Sequence, residues 1–171
     1  MNFNELVHHR YSVRAYKPDA VEQEKLDLLL RAFQAAPTAA NRQPFRLYVI
    51  ETEKYKAELQ QLYNRDWFVQ APLVFGVVAV NDEAWIRRDG VNYAMVDATI
   101  AFDHLILQAA ELGLGTCWIA AFDPTAARQL LHLPANWTPV AFTPVGYPAD
   151  EIKPKKRRQL VELIIYHSEQ P

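Results

Sequence analysis

The sequence predicts a mixed α/β or α+β domain, and three observations carry that expectation. Leu73 to Val80 is a continuous, valine-rich apolar run, the mark of a strand covered on both faces. Asp89 to Leu112 repeats Ala94, Ala98, Ala101, Leu105 and Ala109 at helical spacing, so a long helix with one small-residue side is expected there. Strand and helix patterns are intermixed along the chain rather than segregated. With 171 residues, half of them hydrophobic, residues 1–171 suit a single domain that buries roughly 70% of its unfolded surface.

Asn2 with Glu5 forms a capping-box pattern that opens a short helix to about His9. Asp19 to Glu22 opens a second, running to Ala36 with Leu26, Leu29, Leu30 and Phe33 at helical spacing, and Pro37 stops it. A loop of small residues ends at Pro44. Arg46 to Glu51 alternates as a strand, with Leu47 and Val49 on one face and Tyr48 and Ile50 on the other. Thr52 to about Tyr63 reads as a helix, and the Leu73 to Val80 strand follows. After the long helix, Gly113 is the natural C-cap. Thr116 to Ala120 is a strand, Pro124 to Leu131 a helix and Val140 to Val145 a strand. Residues 147–171 form an extension: it turns at Gly146-Tyr147-Pro148, passes a basic run and ends in the apolar stretch Leu160 to Tyr166. Those apolar side chains need cover, from a partner subunit or from the chain's own body.

Composition removes several function classes. Only five glycines occur where average usage of about 7% gives roughly twelve, and neither a G-x-G-x-x-G nor a G-x-x-x-x-G-K-[ST] pattern can be written from them. A bound phosphate must therefore be held mostly by side chains. A single cysteine, Cys117, excludes an internal disulfide and suits a reducing cytoplasm, and the first residues lack a secretory signal pattern. The longest apolar run, Ala71 to Val80, is too short for a spanning helix, which needs about 20 residues. The five histidines form no spaced metal-binding pair, there is no G-x-S-x-G, and Cys117 has no spaced histidine partner. Neither zinc nor nucleophilic catalysis has support.

The formal net charge of −2 argues against bulk attraction to nucleic acid or a membrane surface, yet two clusters are basic: Arg10, Arg14 and Lys17, and five of the six residues from Lys153 to Arg158. In an extended segment Arg10, Ser12, Arg14 and Tyr16 point to one side, presenting two guanidinium forks and a hydroxyl. That group suits phosphate, which guanidinium binds by charge-assisted hydrogen bonds; salt bridges to acidic neighbours are the alternative. The loop Pro37-Thr38-Ala39-Ala40-Asn41-Arg42-Gln43-Pro44 sets hydroxyl and amide side chains between two prolines. Such amides either pair with a heterocycle or satisfy their own backbone.

Taken in order, Arg10-x-Ser12-x-Arg14-x-Tyr16, Pro37-Thr38-Ala39-x-Asn41-x-Gln43-Pro44, Gly113-Leu114-Gly115-Thr116, and Gly146-Tyr147-Pro148 with Lys155-x-Arg157 make the chain resemble the nitroreductase family of FMN-dependent flavoproteins. The resemblance spans nearly the whole chain. It implies an α+β, three-layer α/β/α fold with a mostly antiparallel central sheet, and a homodimer with FMN at the interface. By the same resemblance Arg10, Ser12 and Arg14 hold the FMN phosphate and ribityl chain, joined by Lys155 and Arg157. The loop beginning at Pro37 brings Thr38, Asn41 and Gln43 to the partner's flavin, and Asn64 matches, more loosely, an amide at the flavin pyrimidine edge. Trp118 and Ile119 line one flavin face, with the amides of Ala120 and Ala121 near flavin N5. No side chain need act as acid, base or nucleophile. NADH or NADPH delivers hydride to N5, and a small electron-poor acceptor, nitroaromatic or quinone-like, takes it in turn.

Three positions depart from the pattern. Ala39 stands where many members have serine. Trp67 falls where longer members place a lysine near flavin N1, whose positive charge stabilises the reduced ring. The connection from Asn81 to Asp89 leaves little room for the helices that shape the substrate pocket in larger relatives. Two alternatives remain open: an oxygen-dependent enzyme of the same fold that fragments FMN or dehalogenates, and a non-catalytic flavin-binding protein.

Overall fold

A computed structural model describes residues 1–152 and 154–167. Asn2 caps α1 (Phe3–His9) through the reciprocal box the sequence predicts: its side chain accepts from Glu5 N, and Glu5 returns the bond to Asn2 N. The following elements are α2 (Gln23–Gln34), β1 (Phe45–Glu51), α3 (Lys56–Leu62), β2 (Leu73–Val80), α4 (Ala94–Glu111), β3 (Gly115–Thr116), α5 (Pro124–Leu130), β4 (Trp137–Gly146) and α6 (Leu160–Leu163).

The sheet is antiparallel in the order β1-β2-β4-β3. Strand β2 lies inside it, which explains its unbroken apolar run. Phe75, Val77 and Ala79 meet α2 and α4 through Leu29, Phe33, Ala98 and Phe102, while Val74 and Val78 meet α3 and α5 through Leu59, Leu62, Ala127 and Leu131. The result is the three-layer α+β arrangement. Ala94, Ala98, Ala101, Leu105 and Ala109 form the fully buried side of α4, as their spacing predicts.

Five boundaries differ from the sequence reading. The long helix begins at Ala94, because residues 81–93 form a turn at Asn81–Glu83 and a narrow loop closed by an Ile86–Asn92 bridge. The segment from Thr52 divides into a tight turn, Thr52–Lys54, and α3. Helix α2 starts at Gln23 without a side-chain cap. Strand β4 extends back to Trp137 across Pro139, which lacks an N–H but sits where the register with β2 shifts between Val77 and Val78. The expected strand Thr116 to Ala120 is also reduced: two residues pair as β3, and Ile119 then makes a separate bridge to Phe142.

The tail's root is tied to the body. Lys17 N donates to Tyr147 O, Ala149 N donates to Ala15 O, and the Tyr147 hydroxyl bonds the Glu22 carboxylate and the Lys25 ammonium of the α2 region. Beyond Gln159 the chain exposes Leu160, Val161, Leu163, Ile165 and Tyr166. No helix among the described residues is long and apolar enough to cross a membrane. Lys153 of the basic run and residues 168–171 of the extension lie outside the described residues.

Candidate functional site

A short extended segment after α1 is pinned beside β3. Val13 N donates to Thr116 O at 2.9 Å, and Ser12 pairs with Thr116 in a parallel bridge. The approach is close enough that a Cβ at Gly115 would fall 2.7 Å from Val13 Cγ2. Val13 is buried beneath the segment, leaving Arg10, Ser12 and Arg14 on its open side. Tyr16 does not join them, contrary to simple alternation. Past Arg14 the chain pairs with the tail through a Tyr16–Pro148 bridge, and Tyr16 is buried, its hydroxyl donating to Val13 O at 3.0 Å.

Between this segment and the tail lies a cleft of about 270 Å³. Arg10, Tyr11, Ser12 and Arg14 form one wall, and Asp150, Glu151, Pro154, Lys155 and Arg157 the other. The structure thus assembles five of the expected residues from opposite ends of the domain. Arg10, Arg14 and Arg157 make no ion pair among the described residues, so the salt-bridge alternative finds no support. The Arg14 guanidinium lies over the Trp67 ring, 5.9 Å from its centroid. Lys155 is engaged differently: its ammonium donates to the carbonyls of Val7, His8 and Arg10 at the C-terminal end of α1. Burial and the charges of Arg10 and Arg157 push that ammonium below its ordinary value.

Four lining residues, Tyr11, Asp150, Glu151 and Pro154, escaped the sequence reading, and two of them tie the walls together. The Asp150 carboxylate accepts from Arg14 N at 2.8 Å, and the Tyr11 hydroxyl lies 3.0 Å from both Asp150 Oδ1 and Asp150 O. This latch joins the walls. Burial, reinforced by the Asp150 hydrogen bond and charge, pushes Tyr11 up to about 12. Tyr11 lacked any motif signal because it sits between the more conspicuous arginines, and Asp150 is one of several tail carboxylates. Cys117 is buried nearby, where burial raises its thiol despite the opposing charge of Arg14, so it is not primed as a nucleophile.

The other expected residues lie apart from this cleft. After Pro37, Ala39–Asn41 makes a tight turn, and Gln43 N donates to Thr38 Oγ1 at 3.2 Å. The Gln43 amide donates to Asn41 O at 2.7 Å and Asn41 Oδ1 at 3.0 Å, so these side chains do bond locally, yet Asn41 and Gln43 remain exposed. Asn64 is exposed between α3 and the turn Asp66–Val69. Trp118 is half-buried with its ring edge-to-face on Phe102 at 5.1 Å. Ile119 is held by reciprocal main-chain bonds with Phe142, and Ala120 and Ala121 are exposed just beyond it.

Fold and cleft define an α+β protein whose N-terminal segment and tail bring three arginines and a lysine to one cleft. The chain belongs to the nitroreductase family, whose sequence profile, described as "Nitroreductase family", matches residues 7–64 and 53–147. It is 31% identical over 181 residues to "FMN reductase [NAD(P)H]" of Bacillus subtilis (strain 168), covering 96% of this chain and 72% of that protein. A nitroreductase family protein from Clostridium difficile 630 superposes with a TM-score of 0.91 at 37% identity, covering 98% of this chain and 99% of the other. An FMN-dependent nitroreductase from Clostridium difficile R20291 superposes with a TM-score of 0.74 at 29% identity, covering 88% and 90%.

Proposed function

We propose that this chain takes hydride from NADH or NADPH and passes it to a small electron-poor acceptor, nitroaromatic or quinone-like, with the two substrates alternating at one site. FMN-dependent NAD(P)H oxidoreduction as a class follows from family membership and from the likeness to the FMN reductase. FMN supplies, when bound, a ring able to accept and return hydride at N5. The observation that carries the assignment is the convergence of three guanidinium groups, free of ion pairs among the described residues, on one cleft. Such a donor set fits a phosphate monoester.

Arg10, Arg14 and Arg157 are assigned to the phosphate, with Ser12 offering a hydroxyl toward the ribityl chain. Lys155 adds positive charge while holding the α1 end in place. In a homodimer, Pro37, Thr38, Asn41 and Gln43 would serve the partner's flavin, which accords with none of them lining this chain's own cleft. Asn64 is assigned to the pyrimidine edge, Trp118 and Ile119 to one ring face, and the Ala120 and Ala121 amides to the neighbourhood of N5. The tail, with its exposed Leu160 to Tyr166 side chains, would pack on the partner. A single buried cysteine suits a cytoplasmic setting.

Titration of the purified protein with FMN tests the reading: fluorescence quenching and a yellow protein are expected, and absence of both overturns it. Steady-state plots at several acceptor concentrations should give parallel lines, whereas intersecting lines exclude alternation. Turnover that requires O2 and bleaches the flavin would instead mark a flavin-fragmenting enzyme.

A further inference from the structure

We propose that Asp97 is a positioning residue that sets the shape of the 38–43 loop. The inference rests on the proposed role of that loop at a flavin site, and it concerns how the loop is held. Ala40, Asn41 and Gln43 all have positive φ, at 51°, 55° and 50°. Asparagine tolerates this conformation, but alanine and glutamine adopt it rarely, so the loop needs external support to persist. Bonds within the loop, Asn41 N to Thr38 O and Gln43 N to Thr38 Oγ1, can form its turn but do not orient it on the body.

Among the described residues, the main-chain N–H groups of 38–43 make one bond to another element: Ala39 N donates to Asp97 Oδ1 at 3.0 Å. Asp97 projects from the first turn of α4 and is 2% exposed, flanked on the helix by the fully buried Ala94 and Ala98. Its Oδ2 has no hydrogen-bond partner among the described residues. A carboxylate sunk among alanines with one donor is unfavourable for stability alone. The α4 N-terminus, where the helix dipole favours a negative group, offsets part of that penalty. The bond places the start of the loop, and through it Thr38, Asn41 and Gln43, in one orientation.

Three variants test this. Asp97→Asn keeps an acceptor oxygen for Ala39 N–H, Asp97→Ala removes it, and Ala39→Pro removes the donor while leaving Asp97 in place. Thr38 is already extended at φ −137° and ψ 156°, which accommodates a following proline. The first readout, amide hydrogen exchange of the peptide spanning 38–45 in the protein without added FMN, does not depend on flavin binding. Exchange at least tenfold faster in Asp97→Ala and in Ala39→Pro, with wild-type protection in Asp97→Asn, is expected. The second readout is FMN affinity by fluorescence quenching together with the fine structure of the bound flavin's visible spectrum. A loss of at least tenfold with an altered spectrum is expected for Asp97→Ala and Ala39→Pro, against less than threefold for Asp97→Asn.

Unchanged exchange and unchanged affinity in Ala39→Pro overturn the proposal, even where Asp97→Ala does not fold. An Asp97→Asn variant as impaired as Asp97→Ala also overturns it, because the charge rather than the acceptor would then matter. Failure of the wild-type chain to bind FMN would sink the functional reading, while the exchange data would still decide the role of Asp97 in the loop.

Discussion

Gly115 and Val13 are packed so closely that no side chain fits between them: a Cβ at Gly115 would lie 2.7 Å and 2.9 Å from the two Val13 methyl carbons. This contact lets Val13 N reach Thr116 O and holds Arg10, Ser12 and Arg14 at the mouth of the cleft. Gly115→Ala should therefore destabilise the fold by about 1–3 kcal/mol through overpacking. It should also weaken FMN binding more than a surface substitution of equal thermal effect. Thermal melts and flavin titration check both, and Val13→Ala added to Gly115→Ala should recover part of each loss.

Arg14→Ala and Arg10→Ala remove donors with no ion-pair partner among the described residues to reorganise. Loss of a charge-assisted hydrogen bond worth about 1.5–3 kcal/mol should weaken FMN binding roughly 10- to 150-fold. Riboflavin, which has the same ring and no phosphate, separates the explanations. Its weaker binding should change little in either variant, and an equal loss for both ligands would remove the phosphate role.

The Tyr11–Asp150 latch has a pH signature. Tyr11 is pushed up to about 12 in the folded protein against 10.0 for an ordinary tyrosine, so the unfolded chain releases its proton first as pH rises. Between about pH 10 and 12 the folded state binds more protons, and stability falls with increasing pH. The stability contributed by burying the protonated Tyr11, reinforced by its bond to Asp150, is complete below pH 10 and is lost as pH passes 12. Urea melts across this range should show a smaller decline for Tyr11→Phe than for the wild type. Identical slopes would mean that Tyr11 does not hold this half-buried, hydrogen-bonded position in solution.

Truncation after Arg158 removes Leu160 to Tyr166 but leaves the described cleft residues. If these apolar side chains cover a second copy, the truncated protein should dissociate at concentrations where the full chain is dimeric, as measured by sedimentation. A truncated chain with unchanged assembly and flavin affinity would place the tail on its own subunit.

The layers of the fold were legible because burial leaves a period: β2 is apolar throughout since both its faces are covered, and α4 shows small residues on its buried side. The Arg10, Ser12, Arg14 alternation was legible for the same reason. Tyr16 broke that alternation where the segment passes from pairing with Thr116 to pairing with Pro148, a partner far away in sequence. Pro139 obscured the start of β4, since its effect depends on a register shift in the neighbouring strand. Asp97 did leave a signal, an acidic residue on the alanine side of α4. Its partner, a main-chain N–H, has no residue signature.

The latch between Arg14 N and Asp150 spans 136 positions of chain. During synthesis, both sheet-covering layers can assemble before the second wall of the cleft exists. Cofactor capture by both walls therefore waits for the last part of the cleft to be made, after β4 has completed the sheet.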